Sequence, residues 1–328
     1  MYDIIVVGSA TQDVFLQSSH FTARKDASSE TGKSEIFPLG SKIEVEKIAI
    51  ASGGGGTNTA VTFGRQGLKV ALVGVVGNDV VGREIIDEMK REGVDADFVQ
   101  SHNDDLTAYS VILVDQSGER TILSYKGEGQ HFGVANVPFD KLQTKWIYLD
   151  SLGGHYDLFE ALVNHAVKNN IKIASNPGGK ELAHGLEKLK PFLKHMDIFI
   201  ANKEEAAGLF GLEDPRKYVK GIISISDGPR GVTVTDEQGV TYTAGIPDSP
   251  VVERTGAGDA FGSGFVSEFM RQTLHATSYT LQDVIIKAIQ FGTANASSVV
   301  TLVGSKAGIL KKGDWGPWEL VEVIKHTT

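Results

Sequence analysis

Val251-Val252-Glu253-Arg254-Thr255-Gly256-Ala257-Gly258-Asp259-Ala260-Phe261-Gly262-Ser263-Gly264-Phe265 is a glycine-rich turn that opens a helix with an acid on its first turn. A helix N-terminus leaves backbone N–H groups without intrahelical partners, and the helix dipole favours negative charge there. The amides of Gly256, Ala257 and Gly258 at such an end form a site for an anion. Asp259 would repel a bound phosphate unless the phosphate lies over those amides and the carboxylate takes a proton from the attacking group. A capping aspartate beside close-packed glycines accounts for the same string, and on these residues alone capping is the commoner reading. The choice depends on the rest of the chain.

Working outward, strand-like apolar runs alternate with helical periods. Strands are expected at 3–7, 69–76, 146–149, 171–174, 198–201 and 222–226, with a hairpin at 231–242. Helices are expected at 57–66, 80–92, 156–169, 203–209, 257–271, 281–300 and 317–325. Repeated β-α-β order predicts an α/β fold: a doubly wound, mostly parallel sheet flanked by helices. Ligands of such sheets bind outside the carboxyl ends of the strands. Two regions, about 12–50 and 106–125, break the alternation. They predict a small antiparallel β-sheet, with a turn at Asp115-Gln116-Ser117-Gly118, that covers a ligand or a partner. The whole chain, 1–328, reads as one domain carrying this sheet as a lid.

Composition narrows the function. The chain has 328 residues, 41% of them hydrophobic, and a net charge of −9 without a long basic run. Neither nucleic acid nor an acidic membrane surface is an expected partner. An anionic ligand must then be held locally. There is no cysteine, which excludes thiolate chemistry and fits a reducing compartment. Met1–Gly8 is too short and too acidic for a leader, so a cytoplasmic protein is expected.

Several strings can be set aside. Thr31-Gly32-Lys33-Ser34 resembles the end of a P-loop, but Ala27 stands where its first glycine is required. No G-x-G-x-x-G follows the first strand, which disfavours a nicotinamide-dependent dehydrogenase. The nine histidines show no metal-ligating spacing.

Other strings carry two readings each. In Ser52-Gly53-Gly54-Gly55-Gly56-Thr57-Asn58 the glycines are costly in backbone entropy. They fit a site where hydroxyls reach the main chain at Gly54 and Gly55, with Asn58 offering a polyol both donor and acceptor; a flexible loop fits as well. Asp13 leaves the end of the first strand, either as a bridge for two hydroxyls or as a turn residue. Asn202-Lys203-Glu204-Glu205 is close to a capping box, and alternatively organises waters on a phosphate-bound Mg²⁺. Ser226-Asp227-Gly228-Pro229-Arg230-Gly231 is a tight turn or a passage for ATP phosphates. Gly292, Thr293, Ala294, Asn295, Ala296 and Ser297 suit close helix packing, or an adenine slot with Asn295 at its edge.

In order and spacing these strings resemble the ribokinase/PfkB carbohydrate-kinase family almost end to end. Gly8–Asp13 resembles its first substrate loop, and Gly53-Gly54-Gly55-Gly56-Thr57-Asn58 its signature G-G-x-G-x-N. Gly74-Val75-Val76-Gly77-Asn78-Asp79-Val80-Val81-Gly82 is similar to V-G-x-D-x-x-G, and Asn202–Glu205 to N-x-x-E. Thr255-Gly256-Ala257-Gly258-Asp259 resembles the C-terminal signature, the most specific of the set.

The resemblance implies a ribokinase-like fold and transfer of the ATP γ-phosphoryl group to a hydroxyl of a small sugar. Asp259 would be the base, with the amides of Gly256, Ala257 and Gly258 as anion hole. Asn202 and Glu205 would hold Mg²⁺ through water. Ser226, Gly228, Gly231, Arg254, Thr255 and Asn295 would line the nucleotide site. Asp13, Gly54, Gly55, Asn58 and Asp150 would hold the acceptor. In many members the lid also pairs subunits, which implies a homodimer here. Glu253-Arg254 replaces the Asp-Thr often found before the signature, and that Asp belongs to a monovalent-cation site in some members, so K⁺ is left open. Ser175-Asn176-Pro177-Gly178-Gly179 departs from the Asp-x-Asn-x-Arg of many sugar-specific members. A nucleoside kinase of the same family therefore stays as an alternative, as does a catalytically silent binding protein on the same fold.

Overall fold

The strand Tyr2–Val7 lies inside the larger sheet, flanked in parallel by Thr144–Leu149 and Val70–Gly77. The computed structural model describes residues 1–29, 32–116, 120–275 and 280–326. Ile4 and Val6 point into one core, shared with Phe63 and Phe265. Ile5 and Val7 point into the other, shared with Phe159 and Leu162. A strand apolar on both faces must be covered on both, which requires a parallel sheet between two helix layers. Helices Gly55–Arg65, Val80–Arg91, Ala257–His275 and Leu281–Val299 contribute to the first core. Tyr156–Lys168, Leu186–Leu193 and Lys203–Phe210 contribute to the second.

The sheet runs parallel from Thr144–Leu149 through Lys172–Ser175 and Ile198–Asn202 to Ile222–Ser226. It then continues antiparallel through Val232–Thr235, Thr241–Ala244 and Val323–His326. This is the expected doubly wound architecture with one correction. Residues 317–325 were expected as a last helix, but Val323–His326 is an edge strand. Val323 and Ile324 are β-branched, and the open edge of Thr241–Ala244 supplies a hydrogen-bonding partner; pairing there outweighs an amphipathic pattern with no free face to cover.

A second sheet has the order Arg120–Tyr125, Ala108–Val114, Thr11–Gln17, Lys47–Gly53. Its outer pairs are antiparallel and its central pair is parallel. Cross-strand register separates two faces. Ile50, Val14, Val111 and Leu123 form one row on the first face, beside Ile48, Leu16 and Leu113. The second face carries Asp13, Ala51 and Ser110, with Phe15 and Ile112 forming a small core. The expected turn at Asp115–Gly118 lies partly outside the described residues, as does Thr31 of the P-loop-like string. Lys33 and Ser34 of that string belong to the short strand Lys33–Glu35.

Candidate active site

The carboxyl ends of two parallel strands and the start of one helix meet beneath the second sheet. Tyr2–Val7 runs into Gly8, Thr144–Leu149 runs into Asp150, and helix Gly55–Arg65 begins against both. A Cβ on Gly8 would lie 2.8 Å from the Gly56 Cα, and one on Gly55 would lie 1.8 Å from Asp150 Oδ1. A Cβ on Gly53 would lie 1.8 Å from Asp13 Oδ2. The glycines thus form a surface on which Asp13 and Asp150 pack, not a flexible loop. Gly54, at φ +92°, makes the turn into the helix.

Asp13 and Asp150 are each only 5% exposed. Asp13 Oδ1 accepts from the Thr11 hydroxyl at 3.0 Å. Asp150 Oδ1 accepts from Ser151 N at 2.7 Å, while its Oδ2 has no partner among the described residues. Glu181, buried beside it, accepts from the amides of Leu152 and Gly154 and so fixes the loop after Asp150. Burial raises the Asp13 carboxyl above its usual range, opposed by the Thr11 bond and the charge of Lys306. Burial and then the nearby charge of Asp259 raise Asp150 well above it. A buried acceptor oxygen without a donor is an incomplete site that a ligand hydroxyl would complete.

Asp259 stands on the first turn of helix Ala257–His275. Its Oδ2 accepts from Asn58 Nδ2 at 2.8 Å, joining two residues 201 positions apart. Burial raises the Asp259 pKa, while the Asn58 bond and Lys306 pull it back. Asn58 Oδ1 accepts from the Ser305 hydroxyl at 2.8 Å. With one carbonyl lone pair on Ser305 and one N–H on Asp259, Asn58 keeps one lone pair and one N–H. It therefore still has both a donor and an acceptor to offer a polyol.

Gly256 has φ +79°, and a Cβ there would lie 2.6 Å from the Ser305 Cβ, so this position admits only glycine. Its carbonyl accepts from Ala260 N at 2.8 Å. The Ala257 N–H is directed to Arg254 O at 3.3 Å, whereas those of Gly256 and Gly258 have no acceptor among the described residues. Two of the three expected anion-hole amides are therefore free, and the third is held in a long turn bond.

A cavity of about 260 Å³ opens beside this helix end. Ser226, Gly228, Gly231 and Arg254 line it, together with Ala257 and Gly258. Val251, Phe261 and Val300 give it apolar walls, suited to a flat base. Thr255 faces away, its N–H and hydroxyl bonded to Glu253 Oε1. Asn295 is also misplaced by the sequence reading. It is fully buried, donating to Ala260 O at 2.8 Å and accepting from Leu310 N at 2.9 Å. Its neighbours Thr293, Ala296 and Ser297 line the cavity instead. Asn295→Ala would leave the buried Leu310 amide without an acceptor and take a second bond from the helical Ala260 carbonyl, and is expected to cost about 1–3 kcal/mol in denaturant unfolding. Nucleotide affinity should stay unchanged; lost affinity at full stability would restore the adenine-edge role.

Asn202 and Glu205 form a reciprocal cap. Asn202 Oδ1 accepts from Glu205 N, and Glu205 Oε2 accepts from Asn202 N, both at 2.8 Å. Capping uses one oxygen of each, which leaves Glu205 Oε1 for water. Burial raises the Glu205 carboxyl, and the charge of Asp259 adds to this. Glu253 is 3% exposed, and its Oε2 has no partner among the described residues. Among the described residues no group of three or more acidic, histidine or cysteine side chains is arranged to hold a metal ion unaided.

Ser305, Lys306 and Glu181 were not singled out from sequence. The only signal was a glycine-bracketed string, Gly304-Ser305-Lys306-Ala307-Gly308. Arg254, by contrast, was singled out from the sequence, and it lines the cavity.

The chain matches the pfkB family of carbohydrate kinases over residues 5–312. It belongs to that family. The pfkB kinase is 27% identical to the ribokinase of Haemophilus influenzae, over 98% of both chains. It also superimposes on solved structures. Arabidopsis thaliana ribokinase, complexed with ribose and ATP, gives a TM-score of 0.73 at 19% identity, covering 94% of this chain and 96% of that one. The Burkholderia thailandensis nucleoside kinase, complexed with inosine, gives 0.74 at 17%, covering 95% and 96%. At those identities the structural likeness speaks for the fold. No helix among the described residues is long and apolar enough to cross a membrane.

Proposed function

We propose that the chain transfers the γ-phosphoryl group of ATP to a hydroxyl of a small, uncharged sugar. The observation that carries this reading is Asp259, which is tied to Asn58 on the glycine surface and lies one residue from the free Gly258 amide. Asp13, Gly54, Gly55, Asn58 and Asp150 hold the acceptor. The cavity lined by Ser226, Gly228, Gly231 and Arg254 holds ATP. Asp259 takes the hydroxyl proton as the new O–P bond forms and the bond from Pγ to the β–γ bridging oxygen breaks, releasing ADP. The amides of Gly256 and Gly258, joined by Ala257 once its turn bond yields, stabilise the charge on the transferring group. A carboxyl raised toward the working pH is a better-matched base than an ordinary one.

Mg²⁺ fits at Glu205 Oε1 and Asn202 through water, where it would neutralise phosphate charge. A monovalent cation such as K⁺ fits the unpartnered Glu253 Oε2. Three carboxylates around the acceptor favour a neutral polyol over a sugar phosphate. The second sheet acts as a lid over this site. Its outward row, with Ile48, Ile50 and Leu123 each more than half exposed, is the surface through which two copies would pair.

The test is an ADP-release screen over pentoses, hexoses, sugar phosphates and nucleosides with Mg²⁺-ATP. Turnover is expected on a free sugar. Activity confined to nucleosides would move the protein to the nucleoside-kinase alternative, and none on any acceptor would favour a silent binding protein.

A further inference from the structure

Two consecutive residues pin the two ends of the glycine surface. Ser305 Oγ donates to Asn58 Oδ1 at its far end. Lys306 Nζ donates to Ser52 O at 2.6 Å and Ser52 Oγ at 2.9 Å, at its near end. The Ser52 hydroxyl in turn donates to Glu88. Lys306 is 5% exposed, and its hydrogen bonds go to a neutral residue. Burying a cation without a direct carboxylate partner is expensive, and an apolar side chain of the same length would pack more cheaply.

We propose that Lys306 is a positioning residue for phosphoryl transfer, a built-in positive charge that holds Ser52 in place and keeps Asp259 ionised as the base. Four carboxylates act on its charge. Glu88 and Glu92 lie on helix Val80–Arg91 and just after it, Asp13 on the lid strand, and Asp259 on the signature helix. Arg65, ion-paired to Glu92 at 2.7 Å, donates to Lys306 O at 2.9 Å and fixes the main chain from which the side chain extends. Three acids gather around the acceptor, and each raises the cost of ionising the others. The Lys306 ammonium offsets that cost from behind the site, where it touches no ligand. Burial lowers its own pKa to about 8, against the pull of the four carboxylates. The charge is therefore present at neutral pH and lost in mild alkali.

This inference rests on Asp259 being the base. The test is the pH profile of kcat/KM for the best acceptor at saturating Mg²⁺-ATP, with thermal unfolding as the control for folding. Lys306→Met is expected to move the acid limb up by about one pH unit, because Asp259 then protonates more readily. Lys306→Arg is expected to restore the limb. Glu88→Gln is expected to move it the other way, since one acid competing for the Lys306 charge is gone. A folded Lys306→Met with lowered kcat but an unmoved acid limb would overturn the proposal and leave only a packing role. If Lys306→Met does not fold, Glu88→Gln decides: a downward shift supports the proposal and no shift overturns it. Should Asp259→Asn retain full turnover, the base assignment itself fails, an outcome distinct from Asp259→Asn being inactive while the Lys306 and Glu88 variants leave the limb in place.

Discussion

Asp259→Asn is expected to lower kcat by about 10³-fold or more while leaving ATP affinity near that of the native chain. The amide has the shape of the carboxylate and its oxygen still accepts from Asn58 Nδ2, so the helix end keeps its geometry. The residues lining the nucleotide cavity are untouched. Only the proton acceptor is lost. Steady-state kinetics give kcat, and calorimetry with a non-hydrolysable ATP analogue gives the affinity. Turnover within tenfold of the native rate would remove Asp259 from the chemistry.

Stability should move the other way. Burial holds Asp259 above its ordinary carboxylate range. Between its unfolded and folded pKa values the native state therefore binds the extra proton, and stability falls as pH rises through that window. Asn carries no such penalty. The variant should unfold at a higher temperature than the native chain at pH 7, and the gap should close in acid. An inactive, more stable enzyme would show that the charge is kept for function.

Gly55→Ala is the second large effect. The added methyl would lie 1.8 Å from Asp150 Oδ1 and 2.5 Å from its Cγ. Asp150 is buried and its Oδ1 is held by Ser151 N, so either it or the start of helix Gly55–Arg65 must recoil. Both movements displace an acceptor ligand by ångströms, which costs about 10²-fold in kcat/KM. The loss should appear in KM for the acceptor as well as in kcat, and ATP binding should survive. Gly208→Ala is the matched control. It lies inside helix Lys203–Phe210, a Cβ there meets nothing within 4 Å, and it should stabilise the protein by about 1 kcal/mol. If both variants behave alike, the glycine surface has no special role.

What could be read from the sequence followed local rules. The buried strands, the cap at Asn202 and the turn at Gly256 each depend on residues within a few positions of one another. Asn58 and Asp259 were identified separately, and only the fold brings them to 2.8 Å. Asn295 was misplaced because small residues on a helix look alike whether they flank a ligand or another helix. Lys306 escaped notice because a single lysine has no periodicity, and its partner Ser52 is 254 positions away. The strand Val323–His326 depended on an open sheet edge formed by residues far earlier in the chain, which no local pattern announces.

The glycine surface also bears on how a reaction cycle ends. On the proposed reading, Asp13, Asp150 and Asp259 surround a neutral acceptor at little electrostatic cost. After transfer the same hydroxyl would carry a phosphate monoester, close to a dianion at neutral pH, beside Asp13, Asp150 and the Asp259 that has just taken the proton. The Lys306 ammonium is committed to Ser52 and does not reach it. Such a pocket would hold the neutral substrate better than the charged product. Product departure would then be driven by the charge that the reaction itself deposits.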